Sequence, residues 1–360
     1  MAQTQPRECW SPFGGNGKGS DYPPNLEGKV AIVTGANCGI GKNVAQNIAA
    51  LGAEVFFACR SEDRANAAIQ EVAALTGNDK LYFLKLDLAD LASVRSAATE
   101  FLSKGKPLHI LVNNAGLASQ EHLFTKDGHE LHFGTNHLGP FLFTKLLLPK
   151  MTATEKSRIV FVSSDAHKWS NRIDYDDLTM EKSGIGMLGM KAYARSKLCN
   201  VYNMRKLHRL LCEQQGCTGA AVPNPTVNAM HPGAVSTEIA RNGGVILKFI
   251  MRLFFRSVEK GAETAVWLAV HSDAEGQSGQ YFMDKKPSAI TALAQEEEEA
   301  DRLWDKSVEL TDASGTTPGG PAGGSTPSGR TPGEGAREST TGSADAQEAG
   351  AVDSGTHDEQ

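Results

Sequence analysis

The sequence predicts an α/β protein in which a doubly wound parallel sheet of about seven strands is covered by helices on both faces. Short apolar runs such as KVAIVT (29–34) and HILVN (109–113) alternate with longer segments of helical periodicity. These runs lack the polar–apolar alternation of half-exposed strands, which is typical of parallel strands that are buried on both faces. The crossovers between successive strands are therefore expected to be right-handed.

The predicted elements follow one another in order along the chain. Strands are expected at residues 29–34, 54–59, 81–88, 109–113, 158–163, 227–230 and 280–283. Helices are expected at residues 39–51, 62–75, 91–102, in a stretch that ends near residue 149, and at 188–213. Three segments fall outside the strict alternation, namely 166–187, 241–257 and a terminal helix around 288–310.

Composition divides the chain into one folded domain, 26–312, and two flanking segments. Residues 1–25 are rich in Pro, Gly, Asn and Ser, which predicts a flexible leader. Residues 313–360 are rich in Gly, Pro, Ser and Thr and carry seven acidic residues against two arginines, which predicts a disordered acidic tail. The tail holds most of the formal net charge of −6, so the nearly neutral domain gives no reason to expect a nucleic-acid partner.

The chain is expected to be a cytoplasmic protein with reduced thiols. No run resembles a transmembrane span of about 20 apolar residues, and the opening MAQTQPRECW does not resemble a secretory signal. Six cysteines occur and none forms a CxxC pair, so neither a disulfide framework nor a zinc or other metal site is predicted.

A glycine-rich loop follows the first predicted strand and leads into a helix (TGANCGIG, 34–41). Small residues there let the backbone approach a pyrophosphate, which the positive end of the helix attracts. The spacing G-x3-G-x-G is compatible with a turn that binds nothing. Its place after the first strand of a βαβ series favours a dinucleotide site.

The second predicted strand ends in Cys59-Arg60-Ser61, where an NAD-binding unit usually presents a carboxylate to the ribose. Arg60 at this place suits the 2′-phosphate of NADP, and Lys42 adds positive charge nearby. We therefore expect NADP(H) to be preferred over NAD(H). The alternative is that both residues are solvated surface cations.

Tyr193 and Lys197 are four residues apart in a predicted helix, so both side chains project from one face. A nearby ammonium favours the phenolate, and we expect Lys197 to lower the pKa of Tyr193 so that it acts as a general acid or base. The pair alone is a weak signal, because an amphipathic surface helix gives the same spacing.

Other polar residues follow the predicted strands at the same edge of the sheet. Ser163 and Ser164 end the fifth strand, where a hydroxyl can orient a carbonyl group, although serines also cap strand ends. NNAG (113–116) ends the fourth strand, and Asn136 lies within a predicted helix, where it is either a buried amide or a surface residue.

These motifs together resemble the short-chain dehydrogenase/reductase family, and within it the branch of the retinol dehydrogenases. The matching segments are TGANCGIGK, ACRS, LDLADLASVR, ILVNNAG, HFGTNHLGPFLFTKLLLP, RIVFVSSDAH, YARSKLCN and NAMHPGAVSTE. They occur in the order typical of the family, and the resemblance covers about residues 28–285. The resemblance implies a Rossmann-type domain and a dehydrogenase or carbonyl reductase that uses a nicotinamide cofactor.

The resemblance also implies roles for individual residues. The implied catalytic residues are Ser164, Tyr193 and Lys197, with Asn136 completing a tetrad through a water relay. The implied cofactor-binding residues are Gly35, Asn37, Gly39, Ile40, Gly41, Arg60, Asp87, Leu88, Asn113, Ala115, Gly116, Tyr193, Lys197, Pro232, Gly233 and Thr237. Of the two serines, Ser164 fits the family pattern because it lies three residues before His167.

The chain departs from this branch in three respects. Cys38 stands where Ser or Thr is common, and Pro140 stands where His is frequent. We also expect no apolar N-terminal anchor of the kind that branch members commonly carry. A retinoid substrate is therefore one expectation, and a steroid or xenobiotic carbonyl is another.

The expected reaction is reversible hydride transfer between NADP(H) and the carbonyl or alcohol of a lipophilic substrate. A protein of another class, a catalytically silent NADP-binding scaffold or redox sensor, would keep the fold without turnover. A homodimer is expected from the family resemblance.

Two further segments lead to expectations of their own. Residues 241–257 are apolar with interspersed cations, which predicts a lid over the substrate, an interfacial helix in peripheral contact with a membrane, or a packed helix. The acidic run Glu296–Glu299, with Asp301, is expected to be a solvated helix face, while Leu293, Leu303 and Trp304 pack inward.

Overall fold

The computed structural model describes residues 25–233 and 257–313. The predicted leader 1–25, except for its last residue, and the tail beyond residue 313 lie outside the described residues. So do Thr237 and all but the last residue of segment 241–257.

Within the described residues, eight strands form one sheet in the order β3-β2-β1-β4-β5-β6-β7-β8. Their bounds, from β1 to β8, are Val30–Thr34, Glu54–Cys59, Leu81–Lys85, Ile110–Asn113, Arg158–Val162, Thr226–His231, Tyr281–Met283 and Lys286–Pro287. The strands β1 to β7 are paired in parallel, and β8 adds a short antiparallel edge that the sequence did not predict. The predicted α/β doubly wound fold is confirmed.

Helices cover both faces of the sheet. Their bounds, from α1 to α9, are Gly39–Ala50, Glu62–Thr76, Leu91–Ser103, Leu131–Phe133, Gly139–Thr152, Met190–Gln215, Val258–Val270, Ala292–Gln295 and Glu297–Ala313. Neighbouring strand residues enter different cores: Ile32 packs with α3, α5 and α6, whereas Val33 packs with α1, α2 and α7. Burial on both faces explains why the central strands are largely apolar, whereas the edge strand β3 exposes Tyr82 and Lys85.

The strand order reverses direction between β1 and β4. These two strands pair along Ala31–Ile110 to Val33–Val112, while the crossovers that follow them lead to opposite sides of the sheet. Loops that leave the carboxyl ends of the strands at such a point diverge and open a crevice. The loops after β1 to β6, together with α6 and the turn before α5, carry the residues of the candidate site.

The helix that was predicted to follow β4 begins later than expected. Residues 114–130 form a loop with one isolated bridge, between Phe124 and Glu130. Helix α4 then passes into α5 through a π-helical turn, Gly134–Leu138. A π-helical turn widens the helix locally and is frequent at functional sites.

The prediction of a solvated acidic face on the terminal helix holds for Glu297 and Glu298, which are exposed, but not for Glu299. Arg172 forms ion pairs of 2.7 Å with both Glu296 and Glu299, and Glu299 is buried. Arg209 of α6 pairs with Glu297 and Asp301. The acidic run therefore docks α9 onto cations of α6 and of the loop after β5, while Leu303 and Trp304 pack against the core as predicted.

Candidate active site

The loop between β1 and α1 is shaped by close backbone approach. Gly35 has a φ of +67°, and a Cβ at Gly41 would overlap both the Gly35 carbonyl oxygen and the Asn114 side chain. Gly39 also has a positive φ, of +55°, but open space lies where its Cβ would be. Cys38 makes no side-chain cap to α1, so the positive end of this helix faces that open space and can accept an anion.

Thr34 couples this loop to the one that leaves β4. Its Oγ1 accepts hydrogen bonds from the backbone N–H groups of Asn114 (3.0 Å) and Ala115 (2.9 Å). The Asn114 amide donates to the Thr34 carbonyl oxygen at 2.9 Å. The two loops therefore form one rigid wall, and Gly35, Ala115 and Gly116 lie along it.

Three cations lie near the end of β2. Arg60 is exposed, and its guanidinium makes no hydrogen bond or ion pair with any described residue. The Lys42 ammonium, in contrast, forms an ion pair with Glu71 at 2.7 Å. Arg64, which the sequence analysis did not single out, donates to the Cys38 sulfur at 3.8 Å and adds positive charge beside the loop.

Helix α6 presents Tyr193 and Lys197 to the ends of β4 and β5. Lys197 is buried, and its Nζ donates to the Val162 carbonyl oxygen at 3.1 Å. The same ammonium lies 5.5 Å from the centre of the Tyr193 ring. A Cβ at Gly116 would lie 3.3 Å from Nζ, a tight contact, so the glycine lets the loop pass close to the lysine.

Burial shifts the pKa values of both side chains. Desolvation lowers the pKa of Lys197 from 10.5 to about 8. Desolvation raises the pKa of the Tyr193 phenol, and a hydrogen bond with the Ser164 side chain opposes this only in part. The net pKa of the Tyr193 phenol is thus raised in this structure, whereas the Tyr193–Lys197 spacing predicts a lowered one, because burial disfavours the charged phenolate.

The two serines at the end of β5 have different partners. Ser163 is buried, and its hydroxyl donates to the Lys197 carbonyl oxygen at 2.9 Å, so it ties α6 to the strand. Ser164 is only half-buried, caps the next turn by accepting from Ala166 N–H at 3.2 Å, and contacts the Tyr193 phenol. His167 holds this turn through a hydrogen bond of 2.8 Å to the Ser164 carbonyl oxygen.

Asn136 lies in the π-helical turn and is buried. Its side chain accepts from Leu117 N–H (2.8 Å) and donates to the Leu117 carbonyl oxygen (2.9 Å) and to Ser196 Oγ (3.0 Å). Ser196 in turn donates to the carbonyl oxygen of Tyr193 at 2.7 Å. Asn136 therefore links the loop after β4 to the helix that carries Tyr193.

The remaining predicted cofactor residues lie around the same edge of the sheet. Asn113 ends β4 and donates to Thr144 at 2.9 Å, while Asp87 and Leu88 follow β3. Pro232 and Gly233 follow β6, where Gly233 has a φ of +83°. The structure thus brings all the predicted site residues to this edge except Thr237, which lies outside the described residues.

A buried charged group that was not predicted from the sequence lies behind Tyr193. Glu130, His132 and Arg195 are connected by hydrogen bonds and are almost fully buried. The available signal was a Glu-x-His pair in an otherwise apolar segment and an arginine between Tyr193 and Lys197. Among the described residues, no group of His, Cys, Asp or Glu could hold a metal ion, and no helix is long and apolar enough to cross a membrane.

Comparisons with known proteins agree with this architecture. Residues 29–174 match the family described as short chain dehydrogenase. Mouse retinol dehydrogenase 11 is 41% identical over 288 residues, which cover 79% of this chain and 87% of that protein. Mouse polyprenol dehydrogenase is 39% identical over 83% of this chain and 89% of its own length. Among solved structures, a blue fluorescent protein from a metagenomic library in complex with NADPH is similar, with 27% identity, a TM-score of 0.54 and coverage of 71% of this chain and 96% of its own.

Replacing Gly41 with alanine tests the packing of the glycine-rich loop. The added methyl would displace Gly35 and Asn114, so we expect Gly41→Ala to lose about 1–3 kcal/mol of stability in denaturant unfolding. Gly276→Ala is the control, because Gly276 is exposed and has open surroundings, and its effect should stay within about 0.5 kcal/mol. Equal losses in the two variants would contradict the close approach at Gly41.

Proposed function

The chain belongs to the short-chain dehydrogenase family, in the branch of the retinol dehydrogenases, and we propose that it transfers hydride between NADP(H) and a lipophilic carbonyl or alcohol. Its membership makes it an oxidoreductase of alcohol and carbonyl groups. The observation that carries the finer proposal is the meeting of the Tyr193 phenol, the Ser164 hydroxyl and the Lys197 ammonium at the ends of β4 and β5.

The residues at the carboxyl edge fit a dinucleotide. The open space at Gly39 and the uncapped start of α1 suit a pyrophosphate, which Gly35, Asn37, Ile40 and Gly41 would flank. When bound there, the nicotinamide supplies or accepts a hydride at its C4. Asn113, Ala115, Gly116, Asp87, Leu88, Pro232, Gly233 and Thr237 are the further proposed contacts of the cofactor.

Arg60 supports a preference for NADP(H). Its guanidinium is exposed, has no partner among the described residues and follows β2, where the adenosine ribose lies in dinucleotide-binding folds. A guanidinium can bind the 2′-phosphate through two hydrogen bonds, and Arg64 adds positive charge nearby.

Proton transfer falls to Tyr193. In the direction of reduction, Ser164 and Tyr193 donate hydrogen bonds to the carbonyl oxygen and hold it in place, and Tyr193 then gives its proton to the developing alkoxide. The raised pKa keeps the phenol protonated at neutral pH, which suits this direction. Lys197 holds a positive charge beside the reacting oxygen, and Asn136 fixes the adjoining loop and is the proposed fourth member of the group.

A lipophilic substrate is supported by exposed apolar side chains on two loops that lead to the site. Leu123, Phe124, Met187 and Leu188 are exposed in the loops that follow β4 and β5. Relatives named retinol and polyprenol dehydrogenases point to long apolar alcohols or aldehydes as the class. The proposal includes a cytoplasmic location, which the five free thiols among the described cysteines support.

The variant Tyr193→Phe tests the proton donor. Without the hydroxyl we expect kcat with NADPH and an aldehyde to fall by about 10²- to 10⁴-fold, while the Kd of NADPH changes little, since only the proton donor is lost. Tyr202→Phe is the matched control on the same helix, because its hydroxyl binds Leu293 far from the site. A near-normal kcat in Tyr193→Phe would refute the role.

The variant Arg60→Ala tests the preference for NADP(H). Loss of a charge-assisted contact should weaken NADPH binding by about 10- to 100-fold and leave the Kd of NADH within about twofold. Lys104→Ala removes an exposed cation at the amino-terminal side of β4 and should change neither constant. Equal weakening of both cofactors by Arg60→Ala would argue against a 2′-phosphate contact.

The pH dependence tests the buried ammonium. Because burial lowers the pKa of Lys197 to about 8, its charge is present below that pH and is lost above it. We expect kcat/KM for NADPH, which reports the free enzyme, to decline as pH rises through about 8. Lys191→Ala, an exposed change on the same helix, should leave the profile intact. A profile that stays flat up to 10.5, the pKa of an ordinary lysine, would contradict this account.

A further inference from the structure

Glu130 and His132 form a buried pair that lies behind the candidate site and has no role in the chemistry described above. Glu130 is 1% exposed and His132 is fully buried. His132 Nδ1 and Glu130 Oε1 are 2.6 Å apart, and Glu130 also caps α4 by accepting from the N–H groups of His132 and Phe133 at 2.9 Å. A glutamate is almost never fully buried unless it is paired, so this placement needs an explanation.

The hydrogen bonds fix the protonation of the His132 ring. Its Nε2 accepts from the backbone N–H of Ser119 at 2.9 Å, and a nitrogen that accepts cannot carry a proton. The ring proton is therefore on Nδ1, from which it is donated to the Glu130 carboxylate. Glu130 thus keeps the acceptor nitrogen of His132 turned toward the loop after β4.

The same ring contacts the helix that carries the proposed proton donor. The His132 and Tyr193 rings meet edge to face, with centres 6.4 Å apart and planes at 76°. The Ser119 carbonyl oxygen lies against Gly189, where a Cβ would overlap it, directly before α6 begins. Ser119 and Tyr193 are therefore positioned by one imidazole.

Arg195 closes the group from the side of α6. It lies between Tyr193 and Lys197, and its Nη2 donates to Glu130 Oε2 at 3.3 Å and to the Leu178 carbonyl oxygen at 2.7 Å. Its guanidinium also lies 5.4 Å from the centre of the Phe133 ring. The carboxylate is thereby tied to α4, to α6 and, through His132, to the loop after β4.

We propose that Glu130, His132 and Arg195 form a positioning network that holds the Ser119 backbone and the Tyr193 ring in the geometry required for proton donation. The proposal rests on the proposed function, because its kinetic readout is the chemistry of Tyr193. None of the three residues touches the substrate; they act by fixing a loop and a ring, and small displacements of a reacting group are costly in rate.

Two substitutions at His132 separate the hydrogen bond from the packing. His132→Phe keeps a ring against Tyr193 but has no acceptor for Ser119, whereas the side-chain oxygen of His132→Gln can accept that N–H. We expect His132→Phe to lower kcat by about tenfold, to leave the Kd of NADPH within about twofold and to speed hydrogen exchange at the Ser119 amide. His132→Gln should restore most of kcat and of the amide protection. His129→Phe, three residues away and without a ring hydrogen bond among the described residues, is the control and should change neither.

A measurement on the unaltered chain covers the case in which a variant does not fold. The ¹⁵N chemical shifts of the His132 ring should show a protonated Nδ1 and an unprotonated Nε2, and the opposite tautomer would overturn the proposal. It would also be overturned by normal kcat and Ser119 protection in His132→Phe, or by a failure of His132→Gln to restore them. A wild-type chain without any turnover would contradict the proposed function instead, and exchange at Ser119 would still decide whether the network exists.

Discussion

The burial of one ammonium group organises the site. The Lys197 ammonium is buried and donates a hydrogen bond to the Val162 carbonyl oxygen, and its burial lowers its pKa to about 8. A buried charge is costly unless polar groups surround it, and the chain provides them at one place. β5 ends there in two serines, β4 ends there in the NNAG loop, and Gly116 lets that loop cross the lysine. The reversal of strand order between β1 and β4 opens the crevice beside it.

Rigidity at this edge comes from hydrogen bonds between loops. Thr34 ties the glycine-rich loop to the loop after β4, Asn136 ties that loop to α6, and Ser163 ties α6 to β5. These bonds lie between segments far apart in sequence, so each depends on the sheet being formed. The terminal helix adds a second clamp on α6 through its ion pairs with Arg209.

Much of the fold was predictable because a strand that is buried on both faces is a continuous apolar run in the sequence. The bounds of β2, residues 54–59, were predicted without error. The loop at 114–130 was not, because its structure depends on tertiary contacts, such as the one between His132 and Ser119, that leave no periodic pattern. The ion pairs of the acidic run Glu296–Glu299 were not predictable either, because the cations that neutralise the run come from α6 and from Arg172. At the site, a Tyr-x3-Lys pair indicates the helix face, whereas the rise in the phenol pKa depends on burial that only the packed structure reveals.

The proposed reaction is hydride transfer between a nicotinamide and a carbon atom held against Tyr193 and Ser164. The test supplies each of the two C4-deuterated epimers of NADPH separately with a long-chain aldehyde. The deuterium content of the alcohol product is then measured by mass spectrometry. We expect only one epimer to transfer its deuterium to the product carbon, because a fixed site presents one face of the nicotinamide ring to the substrate. Transfer from both epimers alike, or an alcohol that carries deuterium from neither, would contradict it.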